Sequence, residues 1–254
     1  MGGAVGQVPE YIEMIARWCK AHTRMPVIVK LTPNITDVRK PARAAFKGGA
    51  DAVSLINTIN SITSVNLDTF SPEPSIDGKG SHGGYCGPAV KPIALSMVSE
   101  IARDPETRGR PISGIGGITT WRDAAEFIAM GCGTVQVCTA AMTYGFKIVQ
   151  EMTDGLSEWM DSKGHRKISD FQGMAVPNVT DWQYLNLNYV TKAHINQEAC
   201  IAAAAMLPAR THRIKRSWPP KTASAISRSW TTNASAAISA SMSARLRTAS
   251  PWSR

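Results

Sequence analysis

After Glu198 the chain contains no aspartate or glutamate, and after Cys200 it contains no cysteine. Cysteine is scarce throughout: Cys19, Cys86, Cys132, Cys138 and Cys200 are odd in number and scattered, which excludes a disulfide framework and makes a reducing cytoplasm the expected compartment. No apolar run approaches the ~20 residues of a membrane span. No signal peptide precedes the first helix, and the start MGGAVG lacks the Ser or Thr that completes a myristoylation signal. No membrane partner is therefore expected. The missing acids also locate the charge. Nine of the 28 Lys and Arg fall in 202–254, which leaves 19 against 19 Asp and Glu in residues 1–201, so the formal +9 belongs wholly to the tail. A basic Ser/Ala-rich tail can bind phosphate backbones without specificity. A nucleic-acid-binding protein is thus the rival reading from another class, but nothing in the body supports such a module, and no nucleic-acid partner is expected.

What is present is an alternation. Residues 9–20, PEYIEMIARWCK, set Tyr11, Met14, Ile15, Trp18 and Cys19 on one helical face, with Pro9 in the first turn. MPVIVKLTPN reads as a short strand ending at Lys30. TDVRKPARAAFKGG reads as a helix that Pro41 kinks or delays. ADAVSLINTI is a second strand, AVKPIALSMVSEIAR a helix and RPISGIGGI a third strand. TTWRDAAEFIAMG is a helix opened by Thr120 and Asp123 at capping-box spacing. GTVQVCTA is a fourth strand, and GFKIVQEMTDGLSEWMDSKG a long amphipathic helix. Apolar strands alternating with helices predict a parallel sheet covered by helices. Only four such strands are present and a closed (β/α)8 barrel needs eight, so the pattern predicts a small open sheet or the second half of a barrel. Half a barrel would leave two open strand edges and an uncovered apolar face.

Three loops follow the carboxyl ends of these strands, where α/β folds place their sites. Gly116 and Gly117 lie just before a helix start; two glycines admit an anion, and the free N–H groups of the first turn can bind phosphate. Cys138 and Thr139 end the next strand, and the Thr139 hydroxyl can complete the same cup. Lys30 is costly inside an apolar strand unless its ammonium finds a partner at the strand's mouth or snorkels to the surface. The first alternative would fix a positive charge beside a cofactor that gains negative charge on reduction. Asn57 and Thr58 offer an amide and a hydroxyl to the C=O and N–H groups of a heterocycle, or else cap a loop.

The segments MPVIVKLTPNITD, GGADAVSLINTINSIT, GGYCGPAVKPIAL, PISGIGGITTWRDAAEFI and VQVCTA resemble, in order and spacing, the FMN-binding barrel of the dihydroorotate and dihydropyrimidine dehydrogenases. The resemblance runs from Gly2 to about Cys200. NTINSITSVNL and VPNVTDWQYLNLNYVTKAHINQEAC favour the pyrimidine-reducing subunit of bacterial NAD-dependent dihydropyrimidine dehydrogenases over the dihydroorotate enzymes. The resemblance implies an α/β chain that is the C-terminal half of a (β/α)8 TIM barrel (1–175), a linker toward a ferredoxin-like module (176–201), and the basic tail (202–254).

It further implies FMN as cofactor, with Lys30 against the flavin ring and Gly87, Ile115, Gly116, Gly117, Cys138 and Thr139 holding FMN, mainly at its phosphate. Asn57 and Thr58 would hydrogen-bond a uracil or thymine substrate. A partner subunit carrying FAD and binding NAD(P)H would supply electrons, in an oligomer. Dihydroorotate oxidation to orotate is the alternative within the family. In the family a catalytic loop with an Asn…Ser-Cys-Pro motif precedes the position of Gly2, and its cysteine is the general acid. No cysteine here is expected to inherit that role: Cys19 and Cys132 are expected to be structural, Cys86 a small loop residue and His82 a solvated loop histidine. The chain alone is expected to be inactive.

The family continues after INQEAC into a region with two [4Fe–4S] clusters, which needs C-x2-C-x2-C-x3-C-P runs. Ala234, Ala237, Ala240 and Ala244 have that spacing, followed by Arg245; Ala202, Ala205 and Ala209 match the end of a first run. An alanine codon read one base early after T gives cysteine, and an arginine codon can likewise give proline. The expectation is a frameshifted ferredoxin-like region, with no metal ligand in the tail as written; the alternative is a low-complexity, disordered basic tail.

Overall fold

The computed structural model describes residues 5–188, so the tail and its alanine spacing lie outside the described residues. Chain contacts delimit one unit at Met1–Leu185. Within it, four short strands, β1 (Ile28–Lys30), β2 (Ala52–Leu55), β7 (Ile112–Ile115) and β8 (Thr134–Gln136), form a sheet in the order β1-β2-β7-β8, parallel throughout. α1 (Pro9–His22) precedes them, α2 (Arg39–Lys47), α3 (Lys91–Arg103) and α4 (Trp121–Ala129) run between them, and α5 (Thr139–Tyr144) and α6 (Lys147–Lys163) follow β8. This is the half-barrel arrangement: among the described residues β1 and β8 are edges, each paired on one side only.

The two faces of the sheet differ in chemistry because side chains alternate along a strand. One face presents Val53, Leu55 and Ile112, all buried, to the helices. Gly114 on that face leaves room for Phe127 of α4 and for Cys132. The opposite face is mixed rather than uniformly apolar: Ile28, which is exposed, Ala52 and Ile115 share it with a polar row. Lys30, Ser54, Ser113 and Thr134 stand side by side in register. Gln136 Nε2 donates to the hydroxyls of both Ser54 and Ser113 at 2.8 Å, and the Thr134 hydroxyl donates to that of Ser113 at 2.8 Å. This row is internally hydrogen-bonded, which lowers the cost of leaving its polar groups without a cover.

One helix meets the sequence reading and one departs from it. Pro41 falls in the first turn of α2, where its missing N–H costs nothing, so the start is delayed and the helix is not kinked. In α1 the buried residues are Ile12 and Ala16, while Tyr11, Ile15, Trp18 and Cys19 are exposed. The helix approaches Gly48 so closely that a Cβ there would lie 2.7 Å from that of Ala16. Close helix packing selected the face with small residues over the more apolar one.

Between β2 and α3 the chain makes an excursion that carries two antiparallel ribbons, β3 (Ile59–Ser61) with β6 (Gly83–Tyr85), and β4 (Ser64–Asn66) with β5 (Ser71–Glu73). The excursion returns through Gly87 and a 3-10 turn, Pro88–Val90, into α3. It thereby sets Tyr85, Cys86 and Gly87 over the carboxyl ends of the strands.

Candidate functional site

The carboxyl ends of the four parallel strands open into one cavity of about 620 Å3, its mouth included. Lys30 ends β1, Asn57 and Thr58 follow β2, Ile115 ends β7 and is followed by Gly116 and Gly117, Cys138 and Thr139 follow β8, and Gly87 closes the far wall. All nine residues singled out in the sequence line this one cavity. A second cavity, of about 520 Å3, adjoins it and shares Lys30, Asn57 and Thr58; Thr32, Asn34 and Asn60 complete it with Gly6.

Backbone bonds between strand ends place these groups. Leu31 N–H donates to Ser54 O at 2.7 Å, Asn57 N–H to Leu31 O at 3.0 Å, and Ile56 N–H to Ile115 O at 2.7 Å, so the loops after β1, β2 and β7 are tied laterally. The Asn57 side-chain oxygen accepts the Thr58 N–H at 2.8 Å, leaving the amide NH2 as the free group of that side chain. Asn34, which the sequence reading passed over, holds the loop from the other side. Its Nδ2 donates to Thr58 O at 3.1 Å and its Oδ1 accepts the Asn60 N–H at 2.9 Å. The only signal for it was its place after Thr32-Pro33 in a strand-end turn. Lys30 is exposed at the mouth of the cavity and makes no ion pair with a described residue.

The glycine loop is shaped for close approach. Gly87 and Gly117 have φ of 87° and 76°, a region that disfavours other residues. A Cβ on Gly117 would lie 2.8 Å from the Lys91 nitrogen and 2.9 Å from Gly87 O, whereas one on Gly87 would meet only Thr139 Cγ2, at 3.9 Å. A phosphate-sized group can thus approach the backbone at Gly87. The Thr139 hydroxyl, which donates to Cys86 Sγ at 3.3 Å, stands across from it.

Just before the first turn of α4 the chain's own carboxylate takes two N–H groups, those of Thr119 and the N-cap Thr120. Thr120 and Asp123 form the capping box. Asp123 Oδ2 accepts the N–H groups of Thr119 and Thr120 at 2.9 and 2.8 Å and their hydroxyls at 2.8 and 3.0 Å. The N–H groups of Trp121 and Arg122 in the first turn, and those of Gly117 and Ile118 upstream, have no partner among the described residues.

Of the cysteines, Cys132 is buried at the start of β8, where desolvation pushes its thiol up to about 12, an inert structural group. Cys86 and Cys138 are exposed and line the cavity. His82 is exposed and outside it. Among the described residues no cluster of His, Cys, Asp and Glu could hold a metal ion, and no helix is long and apolar enough to cross a membrane.

A parallel half-barrel with its cavity at the carboxyl ends of the strands defines part of an α/β barrel, and residues 2–160 match the dihydroorotate dehydrogenase family. The chain belongs to that family. Over 201 residues it is 43% identical to the NAD-dependent dihydropyrimidine dehydrogenase subunit PreA of Escherichia coli K12, covering 79% of this chain and 49% of that protein. It is 40% identical over 183 residues to the chloroplastic dihydropyrimidine dehydrogenase (NADP+) of Arabidopsis thaliana, 71% of this chain and 43% of that one. It is also 40% identical over 175 residues to the catalytic subunit of dihydroorotate dehydrogenase B (NAD+) of Pyrococcus abyssi, 69% and 56% of the two chains. The chain spans about half the length of the curated relatives it matches.

Proposed function

We propose that the chain is the FMN- and pyrimidine-binding part of a dihydropyrimidine dehydrogenase, an oxidoreductase acting on the CH–CH bond of dihydrouracil or dihydrothymine or, in reverse, on the uracil or thymine double bond. One observation carries this reading: the nine residues line a single cavity at the strand ends, with a polar cavity beside it. FMN, held there, supplies the hydride chemistry. Gly116, Gly117 and Gly87 let the backbone approach the phosphate, with Thr139 as the side-chain donor. Lys30 sets a positive charge at the seam between the two cavities, favouring negative charge on a ring beside it. Asn57 and Thr58, at the same seam, hydrogen-bond the pyrimidine, and Asn34 holds their loop.

In this reading residues 1–175 are the half-barrel, 176–201 the linker and 202–254 the displaced ferredoxin-like region, whose intact counterpart would pass electrons from an FAD- and NAD(P)H-binding partner subunit. The 43% identity to the PreA subunit over 201 residues, against 40% over 175 residues to the dihydroorotate dehydrogenase of Pyrococcus abyssi, supports the pyrimidine over orotate. The test is a titration of the purified 254-residue chain with FMN, followed by flavin fluorescence, and then of the loaded chain with uracil and with orotate, followed by the flavin absorption band. Saturable FMN binding, lost in Gly117→Val, and a band shift with uracil are expected. Absence of FMN binding overturns the reading, and a shift with orotate alone moves the assignment to dihydroorotate.

A further inference from the structure

The anion-binding loop and the ion pair beside it pose a problem of charge. The first turn of a helix carries about half a positive charge, which favours an anion nearby. In α4 that advantage is cancelled from within. Asp123, buried at 8% exposure, takes the Thr119 and Thr120 N–H groups just before the helix and brings a full negative charge six residues after Gly117, in the loop proposed to receive a phosphate. Burial works against ionisation of this carboxyl, but the Lys91 ammonium and the threonine donors outweigh it and hold its pKa well below the usual carboxylate range. It is therefore charged at neutral pH.

Lys91 answers that charge. Its Nζ lies 2.6 Å from Asp123 Oδ1 and 2.9 Å from Glu126 Oε2, the latter half-exposed and screened by water. Its own backbone nitrogen is the atom against which Gly117 is packed. Lys91 is not among the residues that line the cavity, and its ammonium is held by the two carboxylates behind the loop. We infer that Lys91 is a specificity-determining residue, which by neutralising Asp123 behind the Gly116–Gly117 loop makes the site take a phosphate ester in preference to the neutral alcohol of the same ligand. The inference rests on the reading that the cavity holds a flavin, and it names what selects FMN over riboflavin.

Affinities of the full chain for FMN and for riboflavin, read by flavin fluorescence, test it. Lys91→Met is expected to weaken FMN by roughly tenfold, the scale of a partly buried charge acting at a helix terminus, and to leave riboflavin unchanged. Lys91→Arg is expected to keep the preference. Adding Asp123→Asn to Lys91→Met removes both charges and is expected to restore most of the FMN affinity. Equal weakening of both flavins in Lys91→Met would mean that Lys91 only holds the fold, and would overturn the inference while leaving the cofactor reading intact. So would failure of the double variant to recover in a chain whose thermal unfolding matches that of Lys91→Met. A wild-type chain that binds neither flavin would overturn the cofactor reading and this inference with it.

Discussion

Gly114 of β7 lies directly beneath Phe127 of α4: a Cβ on the glycine would sit 2.5 Å from the ring's Cδ1 and 2.8 Å from Cys132 Sγ. Phe127 is fully buried, so neither partner can withdraw into solvent. This contact sets the distance between sheet and helix on the side of the molecule that holds the glycine loop.

Gly114→Ala is therefore expected to cost about 1–3 kcal/mol by overpacking. Adding Phe127→Leu should recover part of that loss, because the shorter side chain vacates the space the methyl needs. Thermal unfolding of the two variants checks this. Destabilisation that simply adds in the double variant would show that the two sites are not in contact.

Asp104, at the end of α3, is buried and accepts Arg43 Nε at 2.9 Å, with a second bond from Arg43 Nη2, and the Thr107 hydroxyl at 3.1 Å. The pair ties α2 to α3. Arg43 is partly exposed, so Asp104→Ala is expected to cost about 1–3 kcal/mol, the range of hydrogen bonds to a charged group, and no more. Urea unfolding of the variant measures it.

Acid should destabilise the chain in a defined window. The Arg43 guanidinium holds Asp104 below its ordinary value of 3.8 against the opposing effect of burial. Asp123 is likewise held below 3.8, Lys91 and the threonine donors overcoming burial. Carboxylates whose pKa is lower folded than unfolded contribute stability that is complete above the unfolded pKa and is lost as pH falls through 3.8 toward the folded values. Unfolding free energy should accordingly drop below about pH 4, and the drop should be smaller in Asp104→Asn. An unchanged slope in that variant would exclude Asp104 as a source.

Gln136→Leu is expected to cost about 1–2 kcal/mol, since it removes the donor shared by two buried serine hydroxyls on the open face of the sheet. Unfolding in urea measures the loss. A stabilised variant would mean that an apolar surface is preferred at that position.

Asn34→Ala should loosen the loop that carries Asn57 and Thr58 without touching the glycine loop. A loaded chain is expected to keep its FMN affinity and to lose affinity for uracil by roughly tenfold, about the worth of one or two lost hydrogen bonds. Titration with each ligand separates the two effects.

Much of this was legible in the linear chain because its signals are local. The capping box needs only Thr120 and Asp123 three residues apart, and it is formed. The four parallel strands are short apolar runs bounded by turns, and each lies within the segment that predicted it. The site residues sit at strand ends, so a correct strand order was enough to bring Lys30, Asn57, Gly116 and Thr139 to one cavity. The ribbons in 59–85 were not legible. Each strand is three residues long, too short to show a period of two, and β3 meets β6 only across the whole excursion.

The sequence by itself determined the parallel half-barrel, its family and the residues at the strand mouths, because periodicity, capping and turn chemistry act between neighbours in the chain. Only the tertiary structure decided which face of α1 is buried, since close approach at Gly48 favours Ala16 over Trp18. It also decided the hydrogen bonding on the open sheet face, where Gln136 reaches across to Ser54, and the role of Asp123, which takes the Thr119 and Thr120 N–H groups just before α4. Those outcomes depend on distances between residues far apart in sequence, and packing in three dimensions is what sets them.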